Sequence, residues 1–195
     1  MSLLQFRGEP LLLDRVVLTG PCASGKSTLA ERLAAQLGSA FVELDALHWE
    51  PGWVEAPDEV MCDRVREAVA GERWVVAGNY LKQTLPLVWP RAQTVVFLDL
   101  PLRVTLPRLF LRTFLRWYRR ELLWGKTRER LLPQFALWDP ELSIFTWALV
   151  SQRRRQRAMA AAMADPRWAH LRFLHLRSEA EIAAWLAAAG LAAPR

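Results

Sequence analysis

Cysteine is scarce in this sequence, and its scarcity limits what can hold the fold together. Cys22 lies in a glycine-rich segment and Cys62 lies in a predicted helix. Two cysteines do not make a disulfide framework, and a bridge between them would pin the glycine-rich loop, so we expect reduced thiols. Cys22, next to a helix start, could be redox-sensitive, but a small loop-filling side chain is the simpler interpretation.

Long apolar runs are also absent. No segment reaches the roughly 18 uncharged apolar residues of a membrane-spanning helix, and the start of the chain lacks the cationic and apolar regions of a targeting signal. We therefore expect a cytoplasmic protein without a membrane partner. A chain of 195 residues is long enough for one sizeable core and short for two, so we expect one domain over residues 1–195.

Acidic residues are nearly missing from one long stretch. Between Asp99 and Glu129 the only acid is Glu121, while the cations there are Arg103, Arg108, Arg112, Arg116, Arg119, Arg120, Lys126 and Arg128. A second basic cluster consists of Arg153, Arg154, Arg155 and Arg157. With a formal net charge of +6 and a pI of about 10.1, the chain suits either a site for charged phosphates or a polyanionic partner.

What the sequence does contain is a phosphate-binding motif. Residues 20–28 read GPCASGKST, a full match to G-x-x-x-x-G-K-[ST], between an apolar strand and a helix. The two glycines let the backbone aim N–H groups at phosphate oxygens, Lys26 reaches the terminal phosphates, and Ser27 offers a hydroxyl to Mg²⁺. The motif predicts an ATP and Mg²⁺ site with nucleotide contacts from Gly20, Pro21, Cys22, Ala23, Ser24, Gly25, Lys26, Ser27 and Thr28.

Strands alternate with helices along the chain, a pattern that indicates an α/β fold with a parallel sheet covered on both faces. Strands are predicted over residues 15–19, 40–44, 74–77, 94–98 and 171–176, and helices over 27–37, 58–70, 81–89, from 102 onward, 143–163 and before Gly190. Segment 46–57 is predicted as a loop and segment 124–140 as mixed and mobile. Asp58 is a predicted N-cap, and Ser178 with Glu181 a predicted capping box.

The helix that begins near Leu102 carries two stripes at helical spacing. Leu106, Phe110, Phe114 and Trp117 form an apolar stripe, and Arg108, Arg112, Arg116 and Arg120 form a basic one. We expect the apolar stripe to pack in the core.

Several segments together resemble the adenylate-kinase-like P-loop proteins, and within them the small ATPase-like proteins often labelled topology modulation proteins. They are GPCASGKST, LDALHWEPGW at 44–53, GNY at 78–80, FLDLP at 97–101 and the spaced arginines that follow, and LDALH is also similar to the substrate-side motif of gluconate kinases. The resemblance implies a P-loop three-layer sandwich with a five-stranded sheet of order 2-3-1-4-5, an acceptor-binding segment at 45–72 and a helical lid at 113–152. The sequence departs from nucleoside monophosphate kinases at Gly78 and Asn79, where those enzymes carry Asp-Gly, and its lid has no cysteine and histidine cluster for zinc.

Asp45 is the second most informative residue. It follows a buried strand at the sheet edge that carries the phosphate loop, where a carboxylate can hold Mg²⁺ or accept a proton from a substrate hydroxyl. The alternative is a cap on the next loop, and for Asp99, which also ends a strand, a turn is an equally good explanation. Acceptor contacts are predicted from His48, Trp49, Trp53, Asn79, Tyr80 and Lys82, although the tryptophans could simply cover the core and the asparagine could form a turn.

The basic stripe has an electrostatic cost that an anion would relieve. Like charges at i,i+4 cost about 0.2–0.5 kcal/mol per pair, and almost no acids lie near in sequence. We expect Arg112 and Arg116 to act on a transferring phosphoryl group and Arg108 and Arg153 to contact the nucleotide.

Two functions follow from these predictions. The first is an ATP-dependent phosphotransferase that acts on an unidentified small-molecule or nucleotide acceptor, with Lys26, Asp45, Arg112 and Arg116 as catalytic residues and Ser27 and Asp45 at Mg²⁺. The alternative is an ATP-regulated nucleic-acid-binding protein with weak ATPase activity, in which the basic segments grip phosphates. It has thinner support because no recognisable nucleic-acid-binding module accompanies the basic residues.

Overall fold

The centre of the fold is a parallel sheet, seen in a computed structural model that describes residues 12–136, 138–139 and 143–191. Its strands are β1 (Arg15–Thr19), β2 (Ala40–Glu43), β3 (Trp74–Ala77), β4 (Thr94–Leu98) and β5 (Arg172–Leu176). They lie in the order β2-β3-β1-β4-β5, and every neighbouring pair is parallel. The predicted fold class and strand order are therefore confirmed.

Helices cover both faces of this sheet. They are α1 (Lys26–Leu37), α2 (Leu44–His48), α3 (Asp58–Ala68), α4 (Leu81–Leu87), α5 (Leu102–Tyr118), α6 (Ile144–Ala164) and α7 (Glu179–Ala188), with 3₁₀ helices at Leu132–Phe135 and Pro166–Trp168. Two small hairpins complete the elements. The aromatic hairpin pairs Trp49–Glu50 with Val54–Glu55, and the basic hairpin pairs Leu122–Leu123 with Thr127–Arg128.

Two apolar layers hold the helices on the sheet. On one face Val16 and Leu18 of β1 pack with Leu33 of α1 and Trp185 of α7, and on the other Val17 packs with the cluster that includes helix side chains of α3 and α6. Because alternate residues of a strand point to opposite faces, a strand covered on both sides must be apolar throughout. This is why the apolar runs in the sequence located the strands so well.

The segment between β2 and α3 is more ordered than the predicted loop. Helix α2 begins at Leu44, directly after the strand, and the aromatic hairpin follows it. The prediction of an N-cap at Asp58 was also wrong: Pro57 holds that position, and Asp58 is the first helical residue. Its carboxylate instead binds Lys82 and accepts a hydrogen bond of 3.0 Å from Gln83 Nε2. These contacts join α3 to α4.

Part of the predicted mobile segment at 124–140 is also regular, because it holds one strand of the basic hairpin and a 3₁₀ helix. Residues 137 and 140 of that segment lie outside the described residues. At the end of the chain, Ser178 caps α7 as predicted, with its Oγ accepting from the Glu181 N–H at 3.2 Å. None of the helices in the described ranges has the length and apolar character needed to cross a bilayer.

Helix α5 is rotated around its axis relative to the prediction. Phe110 and Trp117 of the apolar stripe are 56% and 43% exposed, whereas the residues buried on this helix are Thr105, Leu109 and Thr113. The stripe therefore does not belong to the core. Helical periodicity identifies two faces of a helix but does not say which one faces inward, and here the basic stripe lies nearer the inward side.

Two glycines permit the close contacts at the carboxyl edge of the sheet. A Cβ on Gly20 would lie 2.6 Å from the Leu98 carbonyl oxygen, and one on Gly78 would lie 2.7 Å from Leu44 Cβ. Gly78 also has a φ of +154°, which side chains of L residues rarely adopt. Both glycines are required by space and by backbone conformation.

We expect Gly78→Ala to lower the free energy of unfolding by about 1–3 kcal/mol, because the added methyl group overlaps the Leu44 side chain. For a chain of this size that corresponds to a fall in Tm of very roughly 3–10 °C. Gly71→Ala is the matched control, since a Cβ at Gly71 meets nothing within 4 Å. Equal Tm values for the two variants by thermal melting would show that the contact does not constrain the fold.

Candidate functional site

The glycine-rich loop joins β1 to α1 and presents uncapped backbone donors. Gly25 precedes the helix with a left-handed φ of 84°, and no side chain caps the N-terminus of α1. The hydroxyl of Ser24 is buried without a hydrogen-bond partner. Lys26 is only 8% exposed, and within the described part of the chain it has no recorded hydrogen bond or ion pair. Free N–H groups, a buried cation and an orphaned hydroxyl form a cradle that fits phosphate.

Asn79 fastens this loop to the end of β3. Its Oδ1 accepts hydrogen bonds from Thr19 Oγ1 at 2.8 Å and from the Gly20 N–H at 3.0 Å. Both donors lie where β1 turns into the loop. The sequence predicts Asn79 as an acceptor contact; in the structure its side-chain oxygen holds the loop, and the acceptor contact stays a prediction.

Asp45 forms a hydrogen-bonded pair with Tyr80. The tyrosine hydroxyl donates to Asp45 Oδ1 at 2.7 Å. Burial, followed by the charge of Asp45, strongly raises the pKa of Tyr80, so the phenol remains a donor at all physiological pH values. Among the described residues, the second carboxylate oxygen of Asp45 has no hydrogen-bond partner. The tyrosine ring lies 4.5 Å from the His48 ring, centroid to centroid.

The oxygen donors at this edge fit Mg²⁺ bound together with a nucleotide. No group of three or more histidine, cysteine, aspartate or glutamate side chains comes together among the described residues to form a protein-only metal site. Nucleotide-bound Mg²⁺ does not need one, because it keeps several waters and takes few protein ligands beside the phosphates. Half-buried Ser27 and Asp45 are donors of the right chemical kind.

Arg112 lies on the inward side of α5. Its Nε is buried without a hydrogen-bond partner. Burial and the charge of Arg116 lower the pKa of Arg112, while nearby groups on three other segments raise it: Cys22, Glu129 and Asp45. Arginine stays protonated despite such a shift, so Arg112 is a cation whose charge interacts with Cys22 of the phosphate loop and with Asp45.

Glu129 and Glu121 are the acids that face these two arginines. Burial raises the pKa of the half-buried Glu129, and the charges of Arg112 and Arg116 oppose that rise. Arg116 also lies 3.6 Å from Glu121, Nε to Oε1. Of the two arginines predicted to be catalytic, Arg116 has a carboxylate at ion-pair distance. More of the positive charge of Arg112 is therefore available to a ligand.

Arg155 is a site residue that the sequence analysis did not select. It is 9% exposed, and one of its guanidinium nitrogens, Nη2, donates to Ser151 Oγ at 2.9 Å. A second nitrogen, Nη1, is buried without a hydrogen-bond partner among the described residues. Burial lowers its pKa, and Cys22 and Asp99 raise it, which places the guanidinium near the phosphate loop. Arg153, selected in its place, is exposed on the opposite side of α6.

Asp99 has structural partners. Gln156 donates to its carboxylate at 2.9 Å, and His175 Nε2 lies 2.9 Å from Oδ2. These contacts tie the end of β4 to α6 and β5, and they account for an acid at a strand end without a catalytic role.

Two other predicted site cations have carboxylate partners elsewhere. Arg108 forms an ion pair with Glu179 at the start of α7, and Lys82 forms one with Asp58 of α3. All four side chains are well exposed. A role for Arg108 at the nucleotide or for Lys82 at an acceptor would require these pairs to break.

The aromatic hairpin and the basic hairpin touch above this edge. Trp53 Nε1 donates to the Arg128 carbonyl at 2.7 Å, and its ring centroid lies 6.1 Å from that of Trp124. Lys126 Nζ donates to the carbonyls of Ala46 and Trp49 at 3.0 and 3.1 Å. The predicted acceptor residues Trp49 and Trp53 therefore lie under the basic hairpin.

A surface depression of about 460 Å³ lies at the other end of the sheet, lined among others by Arg15, Glu72, Arg91 and His170. Arg91 there hydrogen-bonds the carbonyls of Ala70 and Gly71 beyond the end of α3. The depression begins at the amino ends of the strands, and ligands of open α/β sheets bind at the carboxyl ends. It is therefore separate from the candidate site.

Comparisons with known proteins give one partial sequence relative. The chain is 39% identical over 110 residues to a shikimate kinase of Nitratidesulfovibrio vulgaris strain Hildenborough, a match that covers 49% of this chain and 62% of the relative. The chain thus spans less than two thirds of the length of that relative. No protein-family model matches the chain.

Among solved structures, a gluconokinase from Sinorhizobium meliloti 1021 covers 92% of this chain and 94% of its own, at 20% identity and a TM-score of 0.48. A shikimate kinase from Acinetobacter baumannii covers 80% and 96%, at 18% identity and a TM-score of 0.41. Both TM-scores are below 0.5, so the fold assignment is based on the strand order described above and not on these structures. The similarity to topology modulation proteins stays a prediction.

Proposed function

We propose that this protein is an ATP- and Mg²⁺-dependent phosphotransferase that transfers the γ-phosphoryl group of ATP to a hydroxyl group of a small molecule. The main support for the proposal is a set of N–H groups and cations on the side of the sheet that carries the phosphate loop. They are the uncapped start of α1, buried Lys26, and the inward guanidinium groups of Arg112 and Arg155. Phosphoryl transfer needs such an arrangement, because its catalysis consists largely of positioning and charge stabilisation.

Each group has a distinct role in this proposal. Lys26 and the loop N–H groups bind the β- and γ-phosphates, while Ser27 and Asp45 are the protein oxygens available to Mg²⁺, which neutralises phosphate charge when bound. Asp45 also accepts the proton of the acceptor hydroxyl, with Tyr80 holding its other oxygen in place. Arg112 and Arg155 stabilise charge that develops on the transferred group.

The acceptor would enter between the phosphate loop and the aromatic hairpin. His48, Trp49 and Tyr80 line this side, within a ring cluster whose neighbouring centroids lie 4.5 to 4.8 Å apart. Segment 45–72 would thus bind the acceptor and segment 113–152 would cover the site. The partial match to a shikimate kinase and the gluconate-kinase-like LDALH sequence make hydroxylated carboxylic acids the first acceptors to test.

A screen for ADP release in the presence of ATP and Mg²⁺ tests the proposal directly. The candidates are shikimate, gluconate, nucleosides and nucleoside monophosphates, each measured against a reaction without acceptor. We expect one class to stimulate ADP release and to yield a phosphorylated product by mass spectrometry. Failure of every class would remove the support for a small-molecule kinase and leave only ATP binding.

The nucleic-acid alternative has less support in the structure. It requires the basic stripe to grip an extended backbone, yet Arg112 faces the loop and Arg116 lies beside Glu121.

Lys26→Ala should abolish productive ATP binding, because it removes the buried cation of the phosphate cradle. Isothermal titration with ATP and Mg²⁺ measures the loss. Lys82→Ala is the matched control, since Lys82 is an exposed lysine paired with Asp58, and it should retain ATP affinity. Unchanged ATP binding in the Lys26 variant would contradict the assignment of the loop.

Asp45→Asn should lower the rate of ADP release by on the order of 10²–10⁴, the usual contribution of a positioned acid or base, while ATP affinity stays within about tenfold. Tyr80→Phe keeps the ring but removes the hydrogen bond to Asp45, and should lower kcat about 10–100-fold, as expected for a bond to a charged group. If the Asp45→Asn variant released ADP as fast as the parent protein, Asp45 would have only a local structural role.

Arg155→Ala and Arg153→Ala are neighbouring changes on α6 with opposite expected outcomes. Loss of the buried Arg155 should lower kcat by on the order of 10²–10³ with a smaller effect on ATP affinity, because its charge acts mainly in the transition state. Loss of the exposed Arg153 should leave both unchanged. Thermal melting of both variants verifies the fold, and equal kcat values would refute the role of Arg155.

A further inference from the structure

The outward face of α5 exposes aromatic side chains that the described part of the chain leaves accessible to solvent. Most of the exposed large apolar residues in the described ranges fall between 110 and 150, and those outside are Leu12, Val54 and Val60. We define the outward face by Phe110, Leu111, Phe114, Trp117 and Tyr118 of α5 with Trp147, Leu149 and Val150 of α6. Contiguous apolar surface of this kind normally marks an interaction site.

Ring contacts connect the aromatic side chains along α5 and reach the start of α6. The ring of Phe114 lies 5.8 Å from Trp117 and 6.3 Å from Tyr118, and Phe110 lies 6.0 Å from Phe145 at the start of α6, all between centroids. At about 100° per residue, Phe110, Phe114 and Trp117 share one stripe of α5, displaced by roughly a quarter turn from buried Leu109 and Thr113. The surface is a consequence of how α5 is rotated.

Exposed arginines border this apolar surface. Arg119 and Arg120 follow Tyr118 at the end of α5, and Arg153, Arg154 and Arg157 lie on the exposed side of α6. The only acid between residues 100 and 128 is Glu121, which lies beside Arg116. The partner of this face must therefore combine an apolar phase with negative charge.

We propose that the outward face of α5 and α6 binds the surface of an anionic lipid bilayer. Tryptophan, tyrosine and phenylalanine rings suit the level of the headgroups, and arginines suit the lipid phosphates. A second copy of this chain fits less well, because a symmetric contact would bring the arginines of the two copies together. This binding is peripheral, so it needs no spanning helix, and it does not depend on the proposed enzymatic function.

Co-sedimentation of the full chain with vesicles tests the proposal. The vesicles contain either phosphatidylcholine alone or phosphatidylcholine with roughly one third phosphatidylglycerol. We expect at least about tenfold stronger partitioning onto the anionic vesicles, weakened when NaCl is raised from about 0.05 to 0.3 M.

Two double variants separate the apolar and the electrostatic contributions. Phe110→Ser with Trp117→Ser should weaken binding by at least about tenfold, and Arg119→Glu with Arg120→Glu by a similar or larger factor, since each arginine near an anionic surface contributes about fivefold. Val60→Ser on α3 is the control: it removes an exposed apolar side chain elsewhere and should bind like the parent. Thermal melting verifies that all three fold.

Three results would overturn the proposal. The first is equal or absent binding to both kinds of vesicle. The second is self-association of the parent that disappears in the Phe110→Ser, Trp117→Ser variant by analytical ultracentrifugation, which would assign the face to a second copy. The third is tighter binding to a single-stranded DNA oligonucleotide than to anionic vesicles, lost in the same variant, which would assign the face to nucleic acid.

Discussion

The two hydrogen bonds accepted by Asn79 connect the phosphate loop to the neighbouring strand, and the rest of the site depends on that connection. They fix Thr19 and Gly20, the point at which β1 becomes the loop. The adjacent Gly78 brings Leu44 into contact with the end of β3, and Leu44 starts the helix that carries Asp45. One amide oxygen and two glycines thus set the relative positions of the phosphate cradle and the carboxylate.

Much of this arrangement was accessible from the sequence because it depends on local chemistry. The glycines and Lys26 of the loop have few alternative explanations, and the central strands are mostly apolar because both sheet faces are covered. The role of Asn79 in holding the loop could not be predicted, because an asparagine after a strand fits a turn or an acceptor contact equally well. Only the positions of Thr19 and Gly20 in the fold reveal the hydrogen bonds that it accepts.

The arginines show a different limit. Periodicity separates the stripes of α5 but does not fix the rotation of the helix, which follows from packing against α6 and the sheet. On α6, Arg153 and Arg155 lie two residues apart and therefore on nearly opposite sides, so the choice between them depends on the rotation of the helix, which the sequence does not fix. The signal that could have found Arg155 is its place at i+4 from Ser151, the small polar residue that binds it.

Unsatisfied donors of two guanidinium groups have a cost in stability. Among the described residues, Arg155 Nη1 and Arg112 Nε have no hydrogen-bond partner, and an unsatisfied buried donor destabilises a fold by roughly 1–3 kcal/mol. A phosphate group that satisfies these donors recovers that free energy on binding. Ligand affinity and fold stability are therefore coupled through the same nitrogen atoms, as expected where function opposes stability.

The contact between the two hairpins has a kinetic consequence. Trp53 and Lys126 connect the two hairpins and α2 through hydrogen bonds to main-chain carbonyls, and both Trp53 and Trp124 have left-handed φ values, 67° and 50°. A molecule that passes between the hairpins must first break these bonds. The rate of that route is then set by how often the hairpins separate, a step independent of the chemistry beneath them.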